Sequence, residues 1–122
     1  MKVDQHEQLF TELTPTEAAV VEGGKGFAET VYFDASDSTR SFTVSDGGTI
    51  ELFTNTYNIG GSNPTFYAAI RTVSTGRKNE KAVSVGNDTT RWTNVKGGTY
   101  VIDFRDREDN IYVYGPIGVY YS

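Results

Sequence analysis

The sequence predicts an all-β fold, an antiparallel β-sandwich or jelly roll of about eight strands, preceded by a short N-terminal amphipathic helix. From Phe27 onward, apolar and polar residues alternate with a period of two, the pattern of half-buried strands. Clusters of Gly, Asn and Asp separate these segments at short intervals. The chain has 122 residues, the size of one domain.

The segment before Gly23 and Gly24 predicts the helix. Thr14 is a suitable N-cap, Pro15 fits the first helical position, and Glu17 completes a capping box. Apolar residues at helical spacing fall on one broad face. The two glycines then end the helix.

Strand segments follow the glycines, and turn-forming residues separate them. In the clearest segment, Tyr100, Ile102 and Phe104 share one face. The predicted strands are 27–33, 42–44, 50–52, 66–73, 82–85, 91–95, 99–105, 111–114 and 117–121. The predicted turns are 46–48, 60–64, 86–88, 96–98 and 106–110.

Apolar, acidic and small residues near the N-terminus have a distinctive spacing; they are Phe10, Leu13, Glu17, Ala18, Val21, Gly23 and Gly24. The set resembles the double-glycine leaders of bacteriocin-type precursors, in the style common in cyanobacteria. In that family, the cysteine-protease domain of a peptidase-containing ABC exporter binds the apolar face of the leader and cuts after the second small residue. The resemblance implies a leader at residues 1–24, an exported domain at residues 25–122, and cleavage after Gly24.

Charge also divides the chain at Gly24. Residues 1–24 carry one lysine and five acidic residues, a net charge of −4, whereas residues 25–122 carry 10 basic and 11 acidic residues, a net charge of −1. The domain therefore lacks the basic excess of a nucleic-acid site or a membrane-surface patch. No window approaches the roughly 20 apolar residues that span a bilayer, and we expect no general secretory signal.

The composition of residues 25–122 limits catalysis. This segment contains no His, Cys or Met, which excludes Ser-His-Asp and Cys-His catalysis and metal sites built on imidazole or thiolate. Paired carboxylates remain possible for glycoside hydrolysis, with Asp103 as one candidate. Because a domain this small rarely encloses a substrate cleft in addition to its core, we expect a protein that is not an enzyme.

Only oxygen ligands are available for a metal, so Ca²⁺ is the one cation that the sequence suits, and no other cofactor is expected. The candidate site is the acidic cluster of Asp106, Glu108 and Asp109. A second acidic group comprises Asp34, Asp37 and Asp46. The alternative for the first cluster is a solvated hairpin loop whose carboxylates are screened by neighbouring arginines.

Exposed aromatic side chains could bind sugars by stacking. The aromatic residues considered are Tyr57, Tyr67, Trp92, Tyr112, Tyr114 and Tyr120. Alternation places Tyr112 and Tyr114 on the strand face opposite Val113. If their face points outward, they form an aromatic strip, and we select these two tyrosines and Trp92 as candidate ligand-binding residues. The alternative is that the tyrosines line the core with their hydroxyls at its rim.

The leading hypothesis is an exported, non-catalytic β-sandwich protein that acts outside the cell by binding or association, with carbohydrate as one possible ligand. Three alternatives remain open. The chain could be a cytosolic domain whose N-terminal helix is structural, a precursor whose core is chemically modified, or a calcium-binding extracellular module.

The leader hypothesis predicts a specific cut. When the full chain is incubated with the peptidase domain of such an exporter, mass spectrometry should show cleavage between Gly24 and Lys25. A Gly24→Val variant should stay intact, because a narrow protease cleft excludes a branched side chain at the cut. An uncut wild-type chain, beside a control leader that is cut, would contradict the hypothesis.

Overall fold

Residues 25–122 are the part of the chain that the computed structural model describes, and they form two antiparallel sheets packed face to face. The nine strands are β1 Lys25–Phe33, β2 Ser36–Ser38, β3 Phe42–Val44, β4 Gly48–Ile59, β5 Thr65–Thr72, β6 Lys78–Ser84, β7 Gly86–Val95, β8 Gly98–Arg105 and β9 Tyr112–Tyr121. The described residues include no helix that is long and apolar enough to cross a membrane. The predicted leader and its helix lie outside the described residues.

The order of the strands is that of a jelly-roll-like sandwich. The first sheet has the order β1-β9-β4-β7, and the second has the order β2-β8-β5-β6, with β3 also paired to β8. Since β2 and β3 pair with opposite ends of β8, together they occupy one strand position. Consecutive strands otherwise alternate between the sheets, apart from the β5–β6 hairpin. The structure therefore confirms the predicted all-β sandwich.

The core lies between the two sheets and is rich in aromatic rings. Within it, Phe33 of the first sheet contacts Phe66 and Phe104 of the second, with ring centroids 5.8 and 5.9 Å away. Each aromatic ring buries a large area, which suits a small core without disulfides. Other core residues are Val31, Phe42, Val44, Ile50, Leu52, Ala68, Ile70, Val83, Trp92, Val95, Tyr100, Ile102, Val113, Ile117 and Val119.

The C-terminal strand differs from its prediction. The segments 111–114 and 117–121 are parts of one strand, β9, which continues through Gly115 and Pro116. The β4–β9 pairing omits residues 115 and 116, so a proline without an N–H is tolerated there. Gly115 has φ +154°, and a side chain at this position would collide with the Asn55 carbonyl oxygen.

The predicted turn at residues 86–88 is also wrong. Val85 alone separates β6 from β7, and the adjacent Gly86, with φ +102°, turns the chain there. Asn87 and Asp88 already belong to β7, where they pair with β4. The Asp88 carboxylate accepts a hydrogen bond from the Ser84 N–H, 2.8 Å away, and thereby ties the corner to the end of β6.

Thr39 stabilises the break between β2 and β3. Of these two strands, the sequence predicted β3 but not β2. The Thr39 N–H donates to the Ile102 carbonyl oxygen at 2.9 Å, and its Oγ1 accepts from the Ile102 N–H at 3.0 Å. The same hydroxyl donates to the Arg40 carbonyl oxygen at 2.8 Å. Buried Thr39 therefore forms with Ile102 of β8 the two hydrogen bonds that a paired strand residue would form.

We predict that Thr39→Val lowers the free energy of unfolding by about 1–3 kcal/mol, because the buried Ile102 N–H loses its acceptor. Denaturant titration of both proteins measures the difference. The matched control is Thr43→Val, an exposed threonine of β3, which should change stability by less than about 0.5 kcal/mol. Equal effects of the two substitutions would contradict this role for Thr39.

Candidate functional site

Four tyrosines from three strands lie side by side on the outer surface of the first sheet. We call this surface the tyrosine face; its members are Tyr32, Tyr57, Tyr112 and Tyr114. Tyr114 of β9 lies directly opposite Tyr32 of β1 and Tyr57 of β4. Since successive side chains of a strand point to opposite faces, the adjacent Val113 enters the core.

The four rings contact one another and form a continuous aromatic surface. Tyr32 stacks on Tyr112, with centroids 5.0 Å apart and ring planes 16° apart. The edge contacts from Tyr114 to Tyr32 and to Tyr57 have centroid distances of 5.6 and 5.4 Å. These contacts hold the rings in a fixed arrangement, and aromatic pairs of this kind contribute about 0.5–1.5 kcal/mol each beyond the area they bury.

The tyrosine face remains open to solvent. Tyr32 and Tyr57 are 56% and 53% exposed, and Ile59, which pairs with Tyr112 across the strands, is 41% exposed. The solvent face of an antiparallel sheet is normally polar. A contiguous exposed apolar patch in a folded domain marks an interaction site. The tyrosine face therefore has the chemical character of a binding surface.

The sequence located part of this surface. The sequence predicted an aromatic strip if the face that carries Tyr112 and Tyr114 points outward, and in the structure it does. Tyr32 was missed as a candidate, although its alternation with Val31 and Phe33 places it on the outer side of β1. Its closeness to Tyr112 depends on the pairing of β1 with β9, which no local pattern specifies.

The other aromatic candidates are not part of the tyrosine face. Trp92 was expected as an exposed ring but is only 2% exposed, and its Nε1 donates to the Asn79 carbonyl oxygen at 3.1 Å. Tyr120 is buried because its ring covers the backbone at Gly26, where a side chain would collide with it. Tyr67 lies on the second sheet, beneath the guanidinium of Arg105.

The carboxylates of the predicted calcium cluster mainly hold loop backbone. Asp106 accepts hydrogen bonds from the side-chain amide of Asn63 and from the Arg107 N–H. Asp109 accepts from the Ile111 N–H at 3.0 Å. Within residues 25–122, no group of three acidic side chains, Glu108 included, is arranged to hold a metal ion.

The carboxylates of the second acidic group also accept hydrogen bonds from backbone N–H groups. Asp34 accepts hydrogen bonds from the N–H groups of Asp109 and Asn110, at 3.1 and 3.0 Å. Asp46 accepts from the Gly97 N–H at 2.9 Å, and Asp37 accepts from the Ser38 N–H at 2.8 Å. Asp34 and Asp46 hold loop backbone whereas Asp37 lies in β2, so the three carboxylates are separate hydrogen-bond acceptors rather than members of one site.

Asp103 is an ion-paired carboxylate on the outer face of the second sheet. It accepts hydrogen bonds from Arg71 Nε at 2.6 Å and Ser38 Oγ at 2.7 Å, and Lys78 Nζ lies 3.2 Å away. Partial burial raises the pKa of Asp103, but the hydrogen bonds from Arg71, Ser38 and Lys78 outweigh it and lower the pKa to about 2. A carboxyl group with this pKa is ionised near neutral pH and is a poor general acid.

No family model and no curated protein matches the chain. Solved structures match its fold. PliG of Aeromonas hydrophila, a periplasmic inhibitor of g-type lysozyme, is 12% identical with a TM-score of 0.51, and the match covers 83% of this chain and 90% of that one. The likeness supports the sandwich fold and carries no information on a shared ligand.

Two further matches are more distant. The Yersinia pseudotuberculosis-derived mitogen is 9% identical with a TM-score of 0.49, over 80% of this chain and 86% of that one. A carbohydrate-binding module, TmCBM61, solved with β-1,4-galactotriose, is 16% identical with a TM-score of 0.43. The match covers 78% of this chain and 69% of that one. Neither match indicates what this chain binds.

The ion pairs of Asp103 predict a pH-dependent stability. Because its pKa in the folded state is below the ordinary value of 3.8, the stabilisation is present above pH 4 and is lost as the pH falls towards 2. Asp103→Asn should therefore be less stable than wild type by about 1–2 kcal/mol at pH 7, with most of this difference lost by pH 2.

Denaturant titrations between pH 2 and 7 measure this difference. Glu108→Gln is the control, because Glu108 is exposed and makes no ion pair within the described residues. It should change stability little across the range. A destabilisation by Asp103→Asn that is constant from pH 2 to 7 would contradict the assignment.

Proposed function

We propose that this chain is an exported, non-catalytic binding protein whose tyrosine face binds neutral carbohydrate outside the cell. The observation that carries the proposal is the mutually packed set of Tyr32, Tyr57, Tyr112 and Tyr114, in which the first two are exposed and the last two are half-buried. The ring surface that stays in water adds nothing to folding stability, whereas a ligand that covers this surface gains its burial.

The chemistry of the tyrosine face suits a sugar chain. Each ring offers an apolar face against which the C–H groups of a pyranose can pack, and each phenol offers a hydroxyl that donates and accepts hydrogen bonds. The β1, β9 and β4 strands that carry the rings lie at the usual strand spacing of about 4.8 Å, so the surface spans roughly 10 Å from Tyr32 to Tyr57. This length matches about two linked sugar residues.

A fixed arrangement of rings also favours binding. Tyr32 and Tyr112 already stack on each other, and Tyr114 supports Tyr32 and Tyr57 from the side. Little side-chain entropy is then lost when a ligand binds. A rigid sheet holds such a site more precisely than a loop does.

The export part of the proposal depends on the sequence of residues 1–24. The double-glycine motif would direct the chain to a peptidase-containing ABC exporter, which would release residues 25–122 after cleavage at Gly24. The domain has no cysteine, so its fold does not depend on an oxidising or a reducing compartment.

The tyrosine face can be tested by affinity electrophoresis in gels containing β-galactan, xylan or β-glucan. At least one of these polysaccharides should retard the wild-type domain. Tyr57→Ala and Tyr32→Ala should each lower the apparent affinity for that polysaccharide by about tenfold, because each removes an exposed ring while leaving the core intact.

Tyr67→Ala is the matched control, since Tyr67 is a tyrosine on the outer side of the second sheet. It should be retarded as strongly as wild type. The proposal fails if no polysaccharide retards the domain, or if the Tyr32 and Tyr57 variants bind as well as the Tyr67 variant. Thermal unfolding of each variant checks that the fold is retained.

A further inference from the structure

A groove of about 370 Å³ opens at the edge of the sandwich opposite β1, between β6 of the second sheet and β7 of the first. The two strands meet at the Val85 corner and belong to different sheets. The groove lies at their other ends, where residues 77–81 face residues 92–96. It is therefore distant in the fold from the strand pairs that build the tyrosine face.

A β-bulge in β7 shapes one wall of the groove. Gly48 pairs with Val95 and Ile50 with Trp92, so two residues of β7 lie opposite Thr49. The second of these, Asn94, has φ +53°. Bulges of this kind bend a strand and redirect its side chains, and they are frequent beside binding sites.

The floor of the groove is apolar and preformed. It consists of core side chains at the open edge of the sandwich, each only 2–7% exposed, namely Ile70, Trp92, Val95 and Tyr100. The Trp92 ring is held by its hydrogen bond to the Asn79 carbonyl oxygen, and Tyr100 by its hydrogen bond to the Lys96 carbonyl oxygen. The floor therefore does not need to reorganise to accept a ligand.

The rim of the groove is strongly basic. Four cationic side chains line it, and no acidic side chain does; the cations are Arg77, Lys78, Lys81 and Lys96. These are four of the 10 positive charges of residues 25–122, a segment whose net charge is −1. A cleft lined by charges of one sign concentrates their field and attracts ligands of the opposite sign.

Two of these cations are available to a ligand. Lys78 is paired with Asp103, and Lys81 donates to the Arg91 carbonyl oxygen at 2.7 Å. Arg77 and Lys96 form no ion pair with any residue of the described segment. Both side chains can therefore bind an anionic group without breaking an existing pair.

Neutral polar side chains complete the rim. Two hydroxyls and two amides line the groove beside the cations; they belong to Thr72, Asn79, Thr93 and Asn94. Hydroxyl and amide groups both donate and accept hydrogen bonds, as the hydroxyl groups of a sugar require. A rim of hydroxyls, amides and free cations matches a ligand with several hydroxyls and a negative charge.

We propose that this groove binds an acidic sugar residue of a carbohydrate chain, with its carboxylate held by Arg77 and Lys96. The sugar ring lies in the groove beside these cations, and its hydroxyls bond to the threonines and asparagines of the rim. The volume lies at the lower end of the range for small-ligand sites, about 300–1,000 Å³, and suits one or two sugar residues. The site is separate from the tyrosine face and does not depend on it.

The groove contains the one tryptophan of the chain, so Trp92 fluorescence reports its occupancy directly. The full chain is titrated with trigalacturonic acid at low salt, with galactotriose as the neutral probe. We expect a saturable fluorescence change with the acidic trisaccharide and none with the neutral one. Added salt should weaken the binding, because it screens the Arg77 and Lys96 charges.

A double variant that carries both Arg77→Gln and Lys96→Gln should bind trigalacturonic acid about tenfold or more weakly than wild type. Arg107→Gln is the matched control, because Arg107 is an exposed arginine outside the groove. It should bind as wild type does. Tyr57→Ala should also bind as wild type, which separates this site from the tyrosine face.

Three results would overturn the proposal. The first is the absence of a saturable change with trigalacturonic acid while the domain is folded by circular dichroism. The second is an unchanged affinity in the Arg77 and Lys96 double variant. The third is equal binding of inorganic sulfate and trigalacturonic acid, which would indicate a general anion site without sugar recognition.

Discussion

The packing of Phe33 against Phe66 and Phe104 is the contact on which the sandwich depends, since it joins the two sheets through three buried rings. The chain has no cysteine, so burial of apolar side chains must hold the layers together. A substitution that shortens one of these rings would leave a cavity between the layers. The inward direction of the three phenylalanines also sets the direction of every neighbouring side chain.

The tyrosine face is a direct consequence of that inward packing. When Phe33 of β1 and Val113 of β9 point into the core, the period of two forces Tyr32 and Tyr114 outward. A shift of one residue in either strand would bury the tyrosines and expose the core. The groove has a different origin, because it forms where β6 and β7 diverge at the open edge of the sandwich.

Local patterns in the sequence predicted most of the strands and placed Tyr112 and Tyr114 together on the face opposite Val113, because alternation is a property of each strand alone. They left open which of the two faces points outward. They missed β2, whose sequence Ser-Asp-Ser has no apolar residue and pairs only through its backbone. They also split β9 at Gly115 and Pro116, residues that usually end strands. Such local patterns could not predict the groove, because residues of four separate strands, β5, β6, β7 and β8, line it. The leader, the calcium site and the ligands stay predictions.

The most direct test of the account is amide-shift mapping by NMR of residues 25–122, titrated with an oligosaccharide of the polysaccharide that retards the domain. The account predicts that the shifted amides cluster around Tyr32, Tyr57 and Tyr112–Tyr114 on the outer side of the first sheet. Shifts confined to the outer side of the second sheet, or no shifts at saturating sugar, would contradict the assignment of the tyrosine face as the binding surface.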